Sequence, residues 1–363
     1  MTLHVPADLP RFATVATPVH LDRAAVRVDW VDHAKGWTIL LVVLMHASLG
    51  VGAEMAATGW THEIVRFAKP FRMPDFFFVA GLFAGAEATL PWRVFLDRRV
   101  LHFAYFYGLW AVLLISLRAI GDDGTPLLPA LLTAIHDPYS SLWFIYVLPA
   151  MFLTLRLAAL LPAGVVLTGA LGLHLLAARH EDGGAYMLAA TWSGNTAIDS
   201  YLMFAVFFLL GHYVRDHVFR FAGIVRAHPA AALAALAVWA GLNGLATQAG
   251  WLGAPGALFV SGLAGALAVI AMAVLLSRLP LFGWLGLLGR HSLVIYLAYA
   301  VPLAVARELA LRSGLVSDTG TIAALATAAA IAAPILLHRL TTGTRAGFLF
   351  ERPGWARLAP SSR

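Results

Sequence analysis

Two side chains in the first long apolar segment are of types that could do chemistry together. Lys35 and His46 stand eleven residues apart, separated by Gly36, Trp37, Thr38 and an apolar run ending at Met45. On a helix of 3.6 residues per turn this is about three turns, so both project from nearly the same side, with His46 about 16 Å deeper. In an apolar layer of about 30 Å that puts an imidazole near the middle. A lysine at the mouth of such a layer can hold an anionic group. A neutral imidazole in a protein-lined cavity can take a proton from a hydroxyl and pass it to a leaving group. Taken alone, the pair also has a plainer reading, in which Lys35 snorkels to the headgroups and His46 bonds a neighbouring helix.

The elements that must position these groups are membrane helices. The chain of 363 residues is 60% hydrophobic and 12% charged, whereas a soluble domain is about 45–50% apolar and about 25% charged. Apolar segments of spanning length fall at roughly 36–53, 71–88, 100–119, 142–161, 163–178, 196–214, 229–248, 256–277, 284–306 and 320–338. The expected fold is therefore all-α, a polytopic membrane protein with about ten transmembrane helices. The net charge is +6, but most Lys and Arg sit in short links between apolar runs, which anchors helix ends at lipid headgroups and gives no reason to expect nucleic acid. Putting both termini in the cytoplasm brings Lys35, Arg93, Arg98, Arg99, Arg156, Arg215 and Arg290 to the inner side, as the distribution of basic residues favours. Residues 1–30 have no apolar core of a signal peptide and read as a cytoplasmic tail. Residues 31–340 form the membrane domain, and 341–363 read as a short basic cytoplasmic tail.

There is no cysteine, which excludes disulfides, thiolate metal sites and a Cys nucleophile. His33, His62, His102, His174 and His212 lie on different segments without ligand spacing, so no metal is expected. Other polar groups fall inside or beside the spans. Arg72 and Asp75 are three apart, near enough to pair on a helix or to meet a substrate. Arg98 and Arg99 enter the third span on the side of Lys35, as phosphate ligands or as ordinary headgroup anchors. Rings at Trp143 and Phe144, and the pair Ser292 and Tyr296, can serve as an interfacial belt and as cross-links between helices.

The order of these strings resembles the acyltransferase-3 family of membrane acyltransferases, and especially its fucose O-acetylase-like branch. The match runs through Trp30, Asp32, Ala34-Lys35-Gly36 and His46, then Arg72-Met73-Pro74 with its aromatic run, Arg99, Leu142-Trp143-Phe144, and Ser292-Leu293 with Ile295-Tyr296-Leu297. The chain departs from the family pattern at four points. Asp75 occupies a usually apolar position, Ala80 stands where Ser is common, His102 replaces a second arginine, and Ala298-Tyr299 takes the place of a frequent histidine. The resemblance implies transfer of an acyl group from cytoplasmic acyl-CoA, most often acetyl-CoA, to a hydroxyl of a carbohydrate or glycan acceptor. It implies His46 as catalytic base with Asp32 beside it in the catalytic set. Lys35, Arg98, Arg99 and His102 would bind the acyl-CoA, and Arg72, Asp75, Trp143 and Tyr296 the acceptor. A bacterial cytoplasmic membrane is the implied location. Without the resemblance, a transporter or flippase for an amphiphilic solute would fit the intramembrane charges as well.

Overall fold

The computed structural model describes residues 28–121, 126–179 and 192–358. It is 86% helical, with no strand among the described residues. In chain order the principal helices are α1 (Asp29–Met55), α2 (Trp60–Leu82), α3 (Trp92–Gly121), α4 (Leu127–His136), α5 (Trp143–Leu157), α6 (Ala163–Ala178) and α7 (Thr196–Tyr213). They continue as α8 (Arg215–Ala227), α9 (Pro229–Gln248), α10 (Pro255–Leu276), α11 (Gly283–Arg290), α12 (Ser292–Ala298), α13 (Ala300–Ser313) and α14 (Thr319–Thr341).

Among the described residues, seven helices or helix runs are long and apolar enough to cross a membrane, eight if the bent pair α11–α12 counts as one span. The expected figure of about ten is not reached by length and composition. With the bent pair counted, the difference lies in two segments. The helix at the second position runs from Trp60 to Leu82, not over 71–88, and carries Glu63, Arg66, Lys69, Arg72 and Asp75. A hydropathy reading misses its charged first half. The fifth segment is the 16-residue α6, short of the roughly 20 residues a span requires. The ninth segment is also not continuous. It breaks at His291, where the axis bends by 59°, and again at Tyr299. Two helices lack a counterpart among the expected segments: the ten-residue α4 and the polar α8.

Burial separates central from peripheral helices. Helix α1 packs against α2, α10, α11 and α14, and its buried residues cover most of its circumference. A helix apolar on all sides belongs inside a bundle. Helix α9 is the opposite case. Asn243 is its one buried residue, and the Asn243 side-chain amide donates to the carbonyl of Phe67 at 2.8 Å. Trp239 packs edge-on against Phe67 and Phe71, and most of the other side chains of this Ala- and Leu-rich helix are exposed, as suits a lipid-facing element.

Small residues set the closest approaches. The carbonyl of Leu285 in α11 sits against Gly36, and the carbonyl of Asp32 in α1 sits against Gly289. Gly81 and Gly211 form the same reciprocal contact between α2 and α7, each against a backbone carbonyl of the other helix. Close packing of this kind holds membrane helices together where lipid and side chain are equally apolar.

Candidate functional site

Two cavities open inside the bundle, and between them they collect most of the predicted site residues. The larger has a volume of about 650 Å³ and is lined by Val42, Met45, His46, Arg72, Trp143 and Tyr296, among others. The smaller, of about 260 Å³, is lined by Lys35, Thr38, Phe83, Arg99, Phe152 and Ser292, among others. Phe76, Phe144 and Tyr296 line both. They form an aromatic partition, with Phe76 and Phe144 in edge contact at 4.5 Å between centroids and Phe144 against Tyr296 at 5.8 Å.

The spacing in α1 does what its helical periodicity implies. Lys35 reaches the smaller cavity and His46 the larger, on one side of one helix. The imidazole of His46 packs against the ring of Tyr299 at 5.3 Å. Neither ring nitrogen bonds a protein group among the described residues, so the nitrogens are available to a ligand in the cavity. Lys35 lies 5.8 Å from the ring centroid of Phe83, and Arg99 lies over Phe152 at 4.7 Å. Phe103 stacks on Phe152 at 6.4 Å between centroids. The smaller cavity thus presents two cations on aromatic walls, an arrangement suited to an anionic ligand with an apolar arm.

Arg72 and Asp75 do not pair. Arg72 is 1% exposed, lines the larger cavity, and leaves Nε and Nη1 without a hydrogen-bond partner. Asp75 lines neither cavity. Its Oδ2 accepts from the hydroxyl of Thr38, which fastens α2 to α1, and its Oδ1 has no partner. A buried arginine with open N–H groups is costly unless something polar comes to it.

The rim of the larger cavity is polar. Thr133, Asp137, Tyr139, Ser140 and Thr196 contribute to its lining. Local hydrogen bonding accounts for this shape. The last carbonyls of α4 have no partners within the helix. Tyr107 donates to the carbonyl of Ala134 and Tyr146 to that of Ile135 at 2.8 Å. The side chain of Asn195 caps α7 by accepting from the amides of Ala197 and Ile198, and its amide donates to the carbonyl of His136 at 2.8 Å. Asp137 accepts from the amide of Thr196 at 2.7 Å. Ser140 is held in the left-handed region at φ 50°, and the hydroxyl of Tyr296 donates to the carbonyl of Ser141. A strained turn held from several sides is common around ligand sites.

Four predicted residues stand apart from the cavities. Asp32 is buried near the start of α1, fourteen residues from His46 and so about 21 Å away along the helix. The structure does not bring the two together. Arg98 is exposed and lines neither cavity. His102 lies against Phe103 and Phe106, at 5.3 and 5.0 Å between rings. Asp75 is the fourth. Sequence reasoning missed the ring of Tyr299 on His46, the aromatic partition and the polar rim. The aromatic content of Phe76, Trp143 and Phe144 was visible, but not that two of these rings would face both cavities. No group of three or more His, Asp or Glu side chains is placed to hold a metal among the described residues.

The helical bundle and its polar, cavity-facing groups define an integral membrane protein with an internal site. The family model described as an acyltransferase domain, acyltransferase-3, matches residues 28–339. The chain belongs to that family and is a membrane acyltransferase. No curated protein and no solved structure matches it.

Proposed function

We propose that the protein is an O-acyltransferase that moves an acetyl group from acetyl-CoA to a hydroxyl of a carbohydrate or glycan acceptor. The observation that carries this reading is the pair of cavities meeting at Phe76, Phe144 and Tyr296, with Lys35 and Arg99 on one side and His46 and Arg72 on the other. Acetyl-CoA enters the smaller cavity from the cytoplasm. Lys35 and Arg99 hold its phosphates, and its extended arm carries the thioester past the partition. The acceptor occupies the larger cavity, whose volume is typical of a small-ligand site. Its rim offers a carboxylate at Asp137, hydroxyls at Thr133 and Tyr139, and a ring at Trp143, groups suited to a sugar's hydroxyls and apolar faces. The larger cavity opens to the outer side of a bacterial cytoplasmic membrane.

In the reaction, His46 takes the proton of the acceptor hydroxyl as its oxygen attacks the thioester carbonyl. The tetrahedral intermediate collapses with loss of the coenzyme A thiolate, which receives the proton from His46. One C–S bond breaks, one C–O bond forms, and His46 returns to its starting state. Membranes containing the protein, supplied with acetyl-CoA labelled in the acetyl group, should release coenzyme A and place label on an extractable glycan. If no acyl-CoA is turned over by well-expressed protein, the donor assignment is wrong.

The same reading gives Lys35 a measurable role. Lys35→Met removes a cation but keeps an unbranched apolar stem against Phe83. We expect KM for acetyl-CoA to rise about tenfold, as for loss of one charge-assisted hydrogen bond, with KM for the acceptor unchanged. Steady-state kinetics with each substrate varied in turn would check this. An effect confined to the acceptor would reverse the assignment of the two cavities.

A further inference from the structure

Past Thr341 the chain does not trail away but folds back across one helix. The ring of Phe350 stacks on His338 and lies against Trp110, at 5.4 and 5.6 Å between centroids. Tyr105 donates to the carbonyl of Phe348 at 2.9 Å and Trp110 to that of Leu349 at 3.0 Å. Arg93 donates to the carbonyl of Leu358 at 2.9 Å. All three donors belong to α3. The strap is centred on Arg352, which is 7% exposed. Its guanidinium donates to the carboxylate of Asp97 at 2.7 Å and to the Asp97 carbonyl at 2.8 Å. The other carboxylate oxygen of Asp97 accepts from the amide of Leu358 at 2.6 Å. This segment lies beyond the residues matched by the family model, which end at 339.

Asp97 belongs to the π-helical turn Leu96–Leu101, which also holds Arg98 and Arg99. Such wide turns are uncommon and are often found at functional sites. Residues two apart on a helix do not share a face. In this turn Asp97 meets the strap while Arg99 lines the smaller cavity. Held by a guanidinium fork and a backbone amide, Asp97 is fully occupied, and the wide turn has a fixed orientation.

We propose that Arg352 is a positioning residue for donor binding: through Asp97 it fixes the π-helical turn that presents Arg99 to the smaller cavity. This inference rests on reading that cavity as the acyl-CoA site. Purified full-length protein titrated with coenzyme A tests it. Arg352→Met should weaken coenzyme A binding by about tenfold, the scale of one lost charge-assisted hydrogen bond. It should raise the donor KM by a similar factor, with kcat and the acceptor KM held. In an Arg99→Met background the same change should add less than about twofold, because the two residues act as one unit. Trp355→Ala, on the exposed side of the strap, should leave donor affinity unchanged.

A buried ion stripped of its partner can unfold a protein. The paired variant Asp97→Asn/Arg352→Met removes both charges together and carries the same expectation for donor affinity. Weaker binding in Arg99→Met, but wild-type binding in both Arg352 variants, would overturn the positioning role alone. Full additivity of Arg99→Met and Arg352→Met would do the same. Absence of coenzyme A binding by the wild-type protein would overturn the positioning role and the donor site together.

Discussion

His46→Ala should abolish acyl transfer while leaving the protein folded. Positioned general bases contribute roughly 10²–10⁴-fold to rate, so kcat should fall by that factor at matched expression. The structural cost should be small. His46 makes no hydrogen bond to the protein among the described residues, and its main partner is the ring of Tyr299. An aromatic contact of this kind is worth about 0.5–1.5 kcal/mol. Thermal unfolding in detergent should therefore shift by only a few degrees. The combination separates chemistry from packing. Loss of activity together with loss of fold would mean that His46 is a structural cross-link. Full activity would move the base elsewhere, and Asp137 on the rim of the same cavity would be the next group to replace.

The parts of this site that could be read from sequence were those set by helical period. The eleven-position separation of Lys35 and His46 fixes their relative height and face whatever the neighbours do, and the structure places both on cavities. Arg72, Arg99, Trp143 and Tyr296 also reach a cavity, although only the order of their segments suggested it. What failed to show was contact between segments distant in sequence. Arg72 and Asp75 satisfy the spacing for an ion pair, yet Thr38 of another helix takes Asp75 instead. Asp32 sits in the same string as His46, but fourteen positions of helix keep it away. The tail after 341 reads as short and basic. Its role is decided by one acidic residue 255 positions earlier, which no local pattern reveals. The broken ninth segment escaped because Gly289-Arg290-His291 is followed by a run as apolar as the one before it. Hydropathy averages across such a break.

Replacing Gly36 should be among the most damaging single changes, although Gly36 touches no substrate in any reading. A Cβ built at Gly36 would strike the carbonyl oxygen of Leu285 and lie 2.8 Å from its carbon and 3.1 Å from the amide of Gly289. The obstacles are backbone atoms, which no rotamer change removes. Gly289 meets the carbonyl of Asp32 in the same way, so each helix contributes one glycine, and the two contacts fall at Asp32 and Gly36, about one turn apart along α1. Gly36→Ala must push α1 and α11 apart. Overpacking of this kind costs about 1–3 kcal/mol, and Gly36→Val, with a branched side chain, should cost more. The consequence for activity should exceed the consequence for stability. Lys35 immediately precedes Gly36 in α1, and His46 lies on the same helix. Displacement of reacting groups by about 1 Å can cost about 10²-fold in rate. Gly36→Ala should therefore lower the unfolding temperature in detergent modestly and kcat strongly. If it changes neither, α1 and α11 are not in backbone contact, and the glycine beside Lys35 has no packing role to explain it.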